Sequence, residues 1–173
     1  MRKVILNVTL SPDGYIEGPN GEFDWCFTDL DYGMSDFFKQ IDSVFMGRKS
    51  YELTLNIGEA ATAGFPNLTY YVFSSSLQKV QEGKVLINSN WKQQVWQIKE
   101  QPGRDICLFG GASLVASFLN ESLIDEYRFA VHPVVPGSGK PLFTGLKERR
   151  SLQLAEAKTW STGLGSLKCV PGK

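Results

Sequence analysis

Apolar residues along this chain follow two kinds of spacing, one typical of strands and one typical of helices. Short apolar runs predict buried strands at residues 4–10, 43–46, 69–73, 85–87 and 106–109. Apolar residues three and four positions apart predict helices at residues 34–41, 51–55, 91–98 and 114–119. Alternating or short apolar stretches at residues 127–131, 152–157 and 164–170 predict three more strands. This order predicts one α/β domain over residues 1–173, in which helices flank a mostly parallel mixed sheet with an antiparallel C-terminal edge.

The connections between these elements carry signals of their own. Residues 11–14, Ser-Pro-Asp-Gly, are a strong turn signal after the first strand. Residues 17–31 form a long polar loop with three aromatic residues, and residues 60–67 form a second predicted loop. Ser89 or Asn90 is predicted to cap the third helix with its side chain.

Composition and charge narrow the classes of function. Hydrophobic residues make up 42% of the 173 residues and charged residues 21%, which is ordinary for a globular protein. Lys and Arg total 18, as do Asp and Glu, and this balance argues against a nucleic-acid surface or a polybasic membrane contact. We find no signal-peptide or membrane-span pattern, so we expect a cytoplasmic protein.

Cysteine and histidine spacing bears on metal sites and on nucleophilic catalysis. Cys26, Cys107 and Cys169 lie far apart, no C-x-x-C pair exists, and His132 is the only histidine. This spacing fits neither a zinc site nor a disulfide framework, so we expect no metal. His132 lies in a strand pattern before Pro133, which favours a structural role over membership of a catalytic triad.

A strand, a two-glycine turn and a helix follow one another in residues 105–119. Gly110 and Gly111 let the backbone turn tightly because they have no Cβ. The start of the helix directs free N–H groups and the positive end of the helix dipole to one place, which suits a phosphate. Taken alone, this stretch agrees equally well with a phosphate site and with a plain strand–helix connection.

Two further strand ends are similar. Small or hydroxyl residues follow the strands that end at Met46 and Phe73. Ligands of open α/β sheets bind outside the carboxyl ends of strands, so three such ends together favour a ligand site. Arg48 and Lys49 oppose the dipole of the helix they begin, and a bound phosphate would reverse that effect; alternatively, both point into solvent. The Rossmann and Walker A motifs are absent, so a nucleotide would be bound in another way.

An ordered set of motifs resembles the dihydrofolate-reductase-like superfamily. Residues 46–52 resemble the M-G-R-x-[ST]-[WY]-E segment of dihydrofolate reductases, and residues 109–114 resemble their Gly-Gly cofactor segment. The match is closer to the C-terminal reductase domain of the bifunctional riboflavin-biosynthesis deaminase-reductase. Its S-x-D-G and G-E-x-x-W stretches are matched by residues 11–14 and 21–25, and its late D-E, P, G-x-G and P-L-F signature by residues 125–143.

This resemblance implies a dihydrofolate-reductase-like fold and an NADPH-dependent reductase, similar to 5-amino-6-(5-phosphoribosylamino)uracil reductase, as a stand-alone member without the deaminase half. Arg48, Lys49 and Ser50 would hold the adenosine 2′-phosphate and the pyrophosphate, which favours NADPH over NADH. The other cofactor residues that it implies are Thr9 and Ile16 at the nicotinamide end, Ser74 and Ser75 at the adenosine, and Gly47, Phe109, Gly110, Gly111, Ala112, Ser113 and Leu114 at the two strand ends.

The substrate side rests on the loop before the first helix. Reductases of this fold often place a carboxylate there to orient or help protonate the substrate ring, which points to Asp31, with Asp24 and Asp29 as competitors. The alternative for Asp31 is an N-cap. Trp25 either stacks on a heteroaromatic substrate or closes the loop over the core.

Several alternatives stay open at this stage. Lys39 and Lys140 are candidate cations for a substrate phosphate by sequence alone. A ligand-binding or regulatory protein without turnover, or a structural dimer module, would also fit the pattern. The resemblance further implies a homodimer through the closing strands. From the charge balance we expect neither a nucleic-acid nor a membrane partner.

Overall fold

The computed structural model describes residues 1–57 and 67–172 of the chain. The strands in this part are β1 Val4–Leu10, β2 Tyr15–Glu17, β3 Ile41–Gly47, β4 Thr69–Phe73, β5 Lys84–Ile87, β6 Asp105–Gly110, β7 Glu126–Val131, β8 Lys140–Pro141, β9 Leu152–Thr159 and β10 Gly165–Pro171. The helices are α1 Met34–Gln40, α2 Arg48–Ile57, α3 Trp91–Glu100 and α4 Ala112–Asn120. None of the helices in the described part is long and apolar enough to cross a membrane.

Eight of these strands form one sheet in the order β5-β4-β3-β6-β1-β7-β10-β9. The strands from β5 to β7 are parallel to one another, and β10 and β9 add an antiparallel edge. β2 and β8 pair antiparallel in a separate two-stranded ribbon. The predicted mostly parallel sheet with an antiparallel C-terminal edge is confirmed.

Two hydrophobic clusters fill the space between the sheet and the helices on its two faces. One cluster contains Leu6 from β1 and Phe118 from α4. The other contains Ile5 from β1, Phe37 from α1 and Tyr51 from α2. Neighbouring residues of β1 belong to different clusters because successive side chains of a strand point to opposite faces. The apolar run of the first strand therefore builds both halves of the core.

Two predicted positions were wrong. Ile41 was assigned to the first helix, but α1 ends at Gln40 and Ile41 begins β3 with a fully buried side chain. A β-branched residue packs well on a sheet, and that burial overrides the helical spacing. Phe109 was assigned to a buried strand, yet it is 48% exposed because β1 no longer pairs with β6 at this point.

The predicted cap of the third helix was only half correct. Asn90 occupies the N-cap position of α3, but its side chain makes no capping hydrogen bond. The Gln94 side chain instead donates to the Ser89 carbonyl oxygen at 2.6 Å. Of the loop predicted at residues 60–67, residues 60–66 lie outside the described part.

The three cysteines are free thiols. Burial raises the pKa of Cys107 to about 12. Burial and the nearby Asp24 carboxylate raise the pKa of Cys26 to about 11. Both thiols are therefore protonated at neutral pH, which makes them poor nucleophiles.

Candidate functional site

The carboxyl ends of β1 and β6 separate in the middle of the sheet. Their pairing joins residues 4–6 to residues 106–108, whereas both strands continue beyond it. The chain passes from β1 to α1 on one face of the sheet and from β6 to α4 on the other. In α/β sheets, ligands bind in the crevice at such a point, outside the carboxyl ends of the strands.

Glycines from two strand ends meet beside this crevice. An ideal Cβ built on Gly47 would lie 3.7 Å from the Gly110 carbonyl oxygen and 3.8 Å from Leu114 Cβ. An ideal Cβ built on Gly111 would lie 3.7 Å from Ser50 Oγ. Gly110 has a φ of +116°, which residues with a side chain rarely adopt, and its peptide bond to Gly111 is cis. We call Gly47, Gly110 and Gly111 the glycine cradle.

Two helices begin at the glycine cradle, α2 directly after Gly47 and α4 directly after Gly111. Neither helix has an acidic residue in its first turn, and no side chain of the described part caps α4. The Gly111 carbonyl oxygen accepts the N–H groups of Leu114 and Val115 at 3.0 and 3.1 Å. The N–H groups of Ala112 and Gly111 precede these and belong to the unpaired donors of a helix start, which attract anions.

The first turn of α2 adds two cations and a hydroxyl group. The Arg48 guanidinium pairs with the Glu52 carboxylate one turn further along, at 2.9 Å, and both side chains are less than half exposed. Lys49 is exposed and forms no ion pair within the described part of the chain. The Ser50 hydroxyl faces Gly111. Arg48, Lys49 and Glu52 together carry a net positive charge near the start of α2, which favours an anionic ligand.

Ser74 and Ser75 lie next to this turn, because β4 pairs with β3 and places Phe73 opposite Gly47. Ser74 Oγ accepts the Leu77 N–H at 3.0 Å and so shapes its own turn. Ser75 is exposed. The structure thus brings three strand ends together, as the sequence predicted.

The walls of the crevice come from β1 and β6. Asn7 and Thr9 lie on the face of the sheet that α1 covers, because side chains alternate along β1 and Ile5 is on that face. Asn7 Nδ2 lies 3.6 Å from Met34 Sδ of α1. Phe109 is on β6, and its exposed ring is available to a ligand. Ile16, from β2, packs instead against the cluster on the other face of the sheet.

A lysine from the two-stranded ribbon also reaches the glycine cradle. Lys140 Nζ lies 3.0 Å from Glu17 Oε1 and 4.0 Å from the position of an ideal Cβ on Gly111. Gly139 has a φ of +141°, and a Cβ there would collide with the Glu17 carbonyl oxygen. This close approach fixes β8 against β2, and with it the position of Lys140 beside the cradle.

Asp31 is committed to the start of α1. Its Oδ1 accepts the Ser35 hydroxyl at 2.6 Å and the Ser35 N–H at 2.9 Å, and its Oδ2 accepts the Gly33 N–H at 3.1 Å. These hydrogen bonds and the charge of Lys39 hold the pKa of Asp31 below its usual range. The carboxylate therefore serves the helix start as an ionised acceptor, although Gly33 occupies the N-cap position. Lys39 pairs with Asp36 at 2.8 Å.

The loop between β2 and α1 packs its aromatic rings on the end of β7. The ring centroids of Trp25 and His132 are 5.8 Å apart, and those of Phe27 and His132 are 4.9 Å apart. Asp24 is exposed. Within the described residues, Asp24 and Asp31 form no hydrogen bond or ion pair with each other or with the glycine cradle. The geometry thus groups the predicted cofactor residues more closely than the predicted substrate residues.

Residues 2–166 match the family model of the RibD C-terminal domain. The chain belongs to this family. A member of similar length, the uncharacterized protein YyaP of Bacillus subtilis (strain 168), is 41% identical over 172 residues, which cover 94% of this chain and 92% of YyaP.

Solved structures share the fold of this chain. A protein from Shewanella sp. PV-4 that is provisionally assigned to riboflavin biosynthesis superposes with a TM-score of 0.85 at 22% identity, covering 100% of both chains. The dihydrofolate reductase of Enterococcus faecalis, solved with NADP(H), superposes with a TM-score of 0.67 at 15% identity over 99% of this chain and 97% of that chain. At these identities the likeness shows the fold, and the predicted dihydrofolate-reductase-like fold is confirmed.

Two residues beside the crevice and the glycine cradle were not assigned there by the sequence. Asn7 carried a signal, because it and Thr9 are polar positions two apart in an otherwise apolar strand. Lys140 carried none beyond its charge, since its partner Glu17 is 123 positions away and only the pairing of β2 with β8 joins them. Sequence reasoning had offered Lys140 to a substrate phosphate instead.

Proposed function

We propose that this RibD C-terminal domain is an NADPH-dependent reductase, which transfers a hydride to a small heteroaromatic substrate of the aminopyrimidine or pterin class. The observation that carries the proposal is the glycine cradle, where two helix starts and Lys140 converge. Membership of the family supports it, as does the dihydrofolate reductase of the same fold that was solved with NADP(H).

The glycine cradle suits a pyrophosphate in shape and in charge. Gly47 and Gly111 have no Cβ, and a Cβ at Gly47 or Gly111 would come into contact with the groups around the cradle, the nearest of them 3.7 Å away in both cases. Phosphate oxygens only accept hydrogen bonds, and the Ser50 hydroxyl and the Lys140 ammonium beside Gly111 can both donate. We infer that the pyrophosphate is held by the following donors: the backbone N–H groups of Gly111, Ala112 and Ser113, the Ser50 hydroxyl and the Lys140 ammonium.

We assign the adenosine end of NADPH to the first turn of α2. Arg48 and Lys49 supply the charge that a 2′-phosphate needs, and a guanidinium can hold phosphate through two parallel hydrogen bonds. Ser74 and Ser75 lie beside this turn and would border the adenosine. The two cations favour NADPH over NADH, because NADH has no 2′-phosphate.

We assign the nicotinamide end of NADPH to the crevice between β1 and β6. When bound, NADPH supplies the hydride, which is the cofactor's own chemistry. The part of Thr9 and Phe109 is to align the nicotinamide with the substrate ring and to exclude water. Ile16 packs against the cluster on the other face of the sheet, so we leave it out of this role. Asn7 adds an amide on the same wall, which can bond to either ring.

The substrate side is assigned to Asp31, Asp24 and Trp25. The low pKa of Asp31 keeps it ionised, so we infer that it orients the substrate by accepting hydrogen bonds from ring N–H groups. Asp24 is exposed on the same loop and is the second candidate for proton handling. Trp25 offers an aromatic face to a heteroaromatic ring.

A second candidate function is nucleotide binding without turnover. The observation that favours it is the commitment of both Asp31 oxygens to the start of α1. A regulatory protein would keep the glycine cradle and lose the substrate side, so the two candidates differ in turnover and agree in cofactor binding.

We further propose a homodimer through β9 and β10. β9 is the edge strand of the large sheet, and Leu154 on it is 57% exposed. An unpaired edge strand with exposed apolar side chains is a template for pairing with a second copy. Sedimentation velocity over a range of concentrations tests this, and a species that stays monomeric at all of them contradicts it.

The proposed activity is tested by the oxidation of NADPH in the presence of aminopyrimidines and pterins. Substrate-dependent loss of the nicotinamide absorbance supports the reductase. Saturable binding of NADPH with no oxidation by any member of the panel supports nucleotide binding without turnover. An absence of both binding and oxidation contradicts both candidates.

A further inference from the structure

Trp25 and His132 each bury a polar atom that has no partner. Trp25 Nε1 and His132 Nε2 are both shielded from solvent, and neither has a hydrogen-bond partner among residues 1–57 and 67–172. The His132 side chain itself is 2% exposed. Buried polar atoms in folded proteins are nearly always hydrogen-bonded, so a pair of such atoms in one aromatic cluster points to a bound group.

The two rings hold fixed positions at the carboxyl edge of the sheet. The backbone N–H of His132 donates to the Leu10 carbonyl oxygen at 2.9 Å, which ties the residue to the end of β1. The Trp25 and Phe27 rings both pack edge-to-face with the imidazole, at interplanar angles of 77° and 63°. The group that we infer therefore lies at this cluster of three packed rings, next to the two unpartnered nitrogen atoms.

The hydrogen-bonding character of each atom follows from its surroundings. His132 Nδ1 lies 3.3 Å from the Ala130 carbonyl oxygen, which can only accept, so Nδ1 carries the ring proton. Burial lowers the pKa of His132, so the ring is neutral at pH 7. Nε2 is then an acceptor, whereas the Trp25 indole can only donate.

We propose that Trp25 Nε1 and His132 Nε2 form a binding site for a single O–H group, which accepts from the indole and donates to the imidazole. A carboxylate or phosphate only accepts and an ammonium only donates, so none of these satisfies both atoms. A water molecule or an alcohol hydroxyl can accept from one atom and donate to the other, and so satisfies both. The site joins the loop between β2 and α1 to the end of β7 through one bridging oxygen.

Nuclear magnetic resonance of the 15N-labelled protein tests this site without any activity assay. The chain has one histidine, so long-range 1H–15N correlations report the tautomer of His132 without ambiguity. We expect the Nδ1–H tautomer and a cross-peak between the Trp25 indole N–H and a hydroxyl or water proton. Trp25→Phe keeps an aromatic side chain, removes the N–H donor and identifies the indole signal by its loss. Trp96→Phe is the matched control, because Trp96 is 46% exposed on α3.

The source of the O–H group is identified by adding ribitol, a polyol. This step rests on the proposed function and on a substrate with a sugar chain, such as the 5-amino-6-(5-phosphoribosylamino)uracil that the sequence resemblance implies. A cross-peak that moves from the water resonance to ribitol protons assigns the site to a substrate hydroxyl, and one that stays assigns it to a bound water. The proposal is overturned if His132 is the Nε2–H tautomer or doubly protonated, or if the wild-type indole gives no such cross-peak. Either result is independent of whether NADPH binds.

Discussion

Lys140 and Glu17 form an ion pair at 3.0 Å that lies against the glycine cradle. Each side chain is about one-third exposed, at 34% and 32%, so the ion pair is only partly screened by solvent. Within residues 1–57 and 67–172 the ammonium thus pairs with one carboxylate, and it lies beside the place where we infer a pyrophosphate. Glu17 and the cofactor would then compete for the same cation.

Removing the two partners of this pair should change cofactor affinity in opposite directions. Lys140→Met loses a charge-assisted hydrogen bond, so we expect the dissociation constants for NADPH and NADH to rise about tenfold alike. Glu17→Gln removes the competitor, so affinity should rise roughly threefold. Fluorescence titration measures both, with Lys39→Met as the control, because Lys39 pairs with Asp36 on the surface of α1. Unchanged affinity in Lys140→Met would place the pyrophosphate elsewhere.

The two cations of α2 should determine selectivity for NADPH. Arg48→Ala and Lys49→Ala should each weaken NADPH by about tenfold and NADH far less, because only NADPH carries the 2′-phosphate. Glu52→Gln frees the Arg48 guanidinium and should tighten NADPH with little effect on NADH. The ratio of the two dissociation constants is the measurement. Equal losses for both cofactors in Arg48→Ala would show that Arg48 does not read the 2′-phosphate.

We expect the Asp31 side chain, but not that of Asp24, to contribute to the thermal stability of the protein. Asp31→Ala removes the acceptor for the Gly33 and Ser35 N–H groups, so its thermal midpoint should fall. Asp31→Asn keeps an acceptor oxygen and should recover most of that loss. Asp24→Ala is the matched control, because Asp24 makes no such bond in the described part. The measurement is the thermal midpoint of each of the three variants. A midpoint of Asp31→Ala equal to that of the wild type would show that Asp31 does not stabilise the start of α1.

Stability should fall in mild acid because of His132. Burial holds the folded-state pKa of His132 below the unfolded value near 6.5, so the unfolded chain binds a proton more readily. The free energy of unfolding should therefore decline as the pH drops below about 6.5, and this contribution is absent above it. His132→Gln should remove that part of the slope. Urea unfolding between pH 8 and pH 5 measures it, and parallel curves for both proteins would refute the assignment.

The fold was largely predictable because its signals are local. The apolar run of β1, the turn at residues 11–14 and the helical spacing of α4 each depend on a few neighbouring residues. The boundary at Ile41 failed because a helix and a strand compete for the same apolar residue, and burial in the sheet decides.

The candidate site was predictable only where one strand end carries its own residues. At Gly47 and Gly110 a glycine directly follows an apolar strand pattern, so both turns of the glycine cradle could be predicted from the sequence. The neighbourhood of Lys140 and Gly111, and that of Trp25 and His132, arise from pairings between distant segments. No local pattern encodes such contacts, which is why the sequence left Lys140 on the substrate side and His132 without a ligand.

Calorimetric titration of the wild-type chain with NADPH tests the central claim most directly. We predict saturable binding with one NADPH per chain, weaker binding of NADH, and loss of affinity for both in Gly111→Val, whose side chain would fill the cradle beside Ser50 and Lys140. No heat of binding with the folded wild-type protein at millimolar NADPH, or unaltered binding in folded Gly111→Val, would contradict the account.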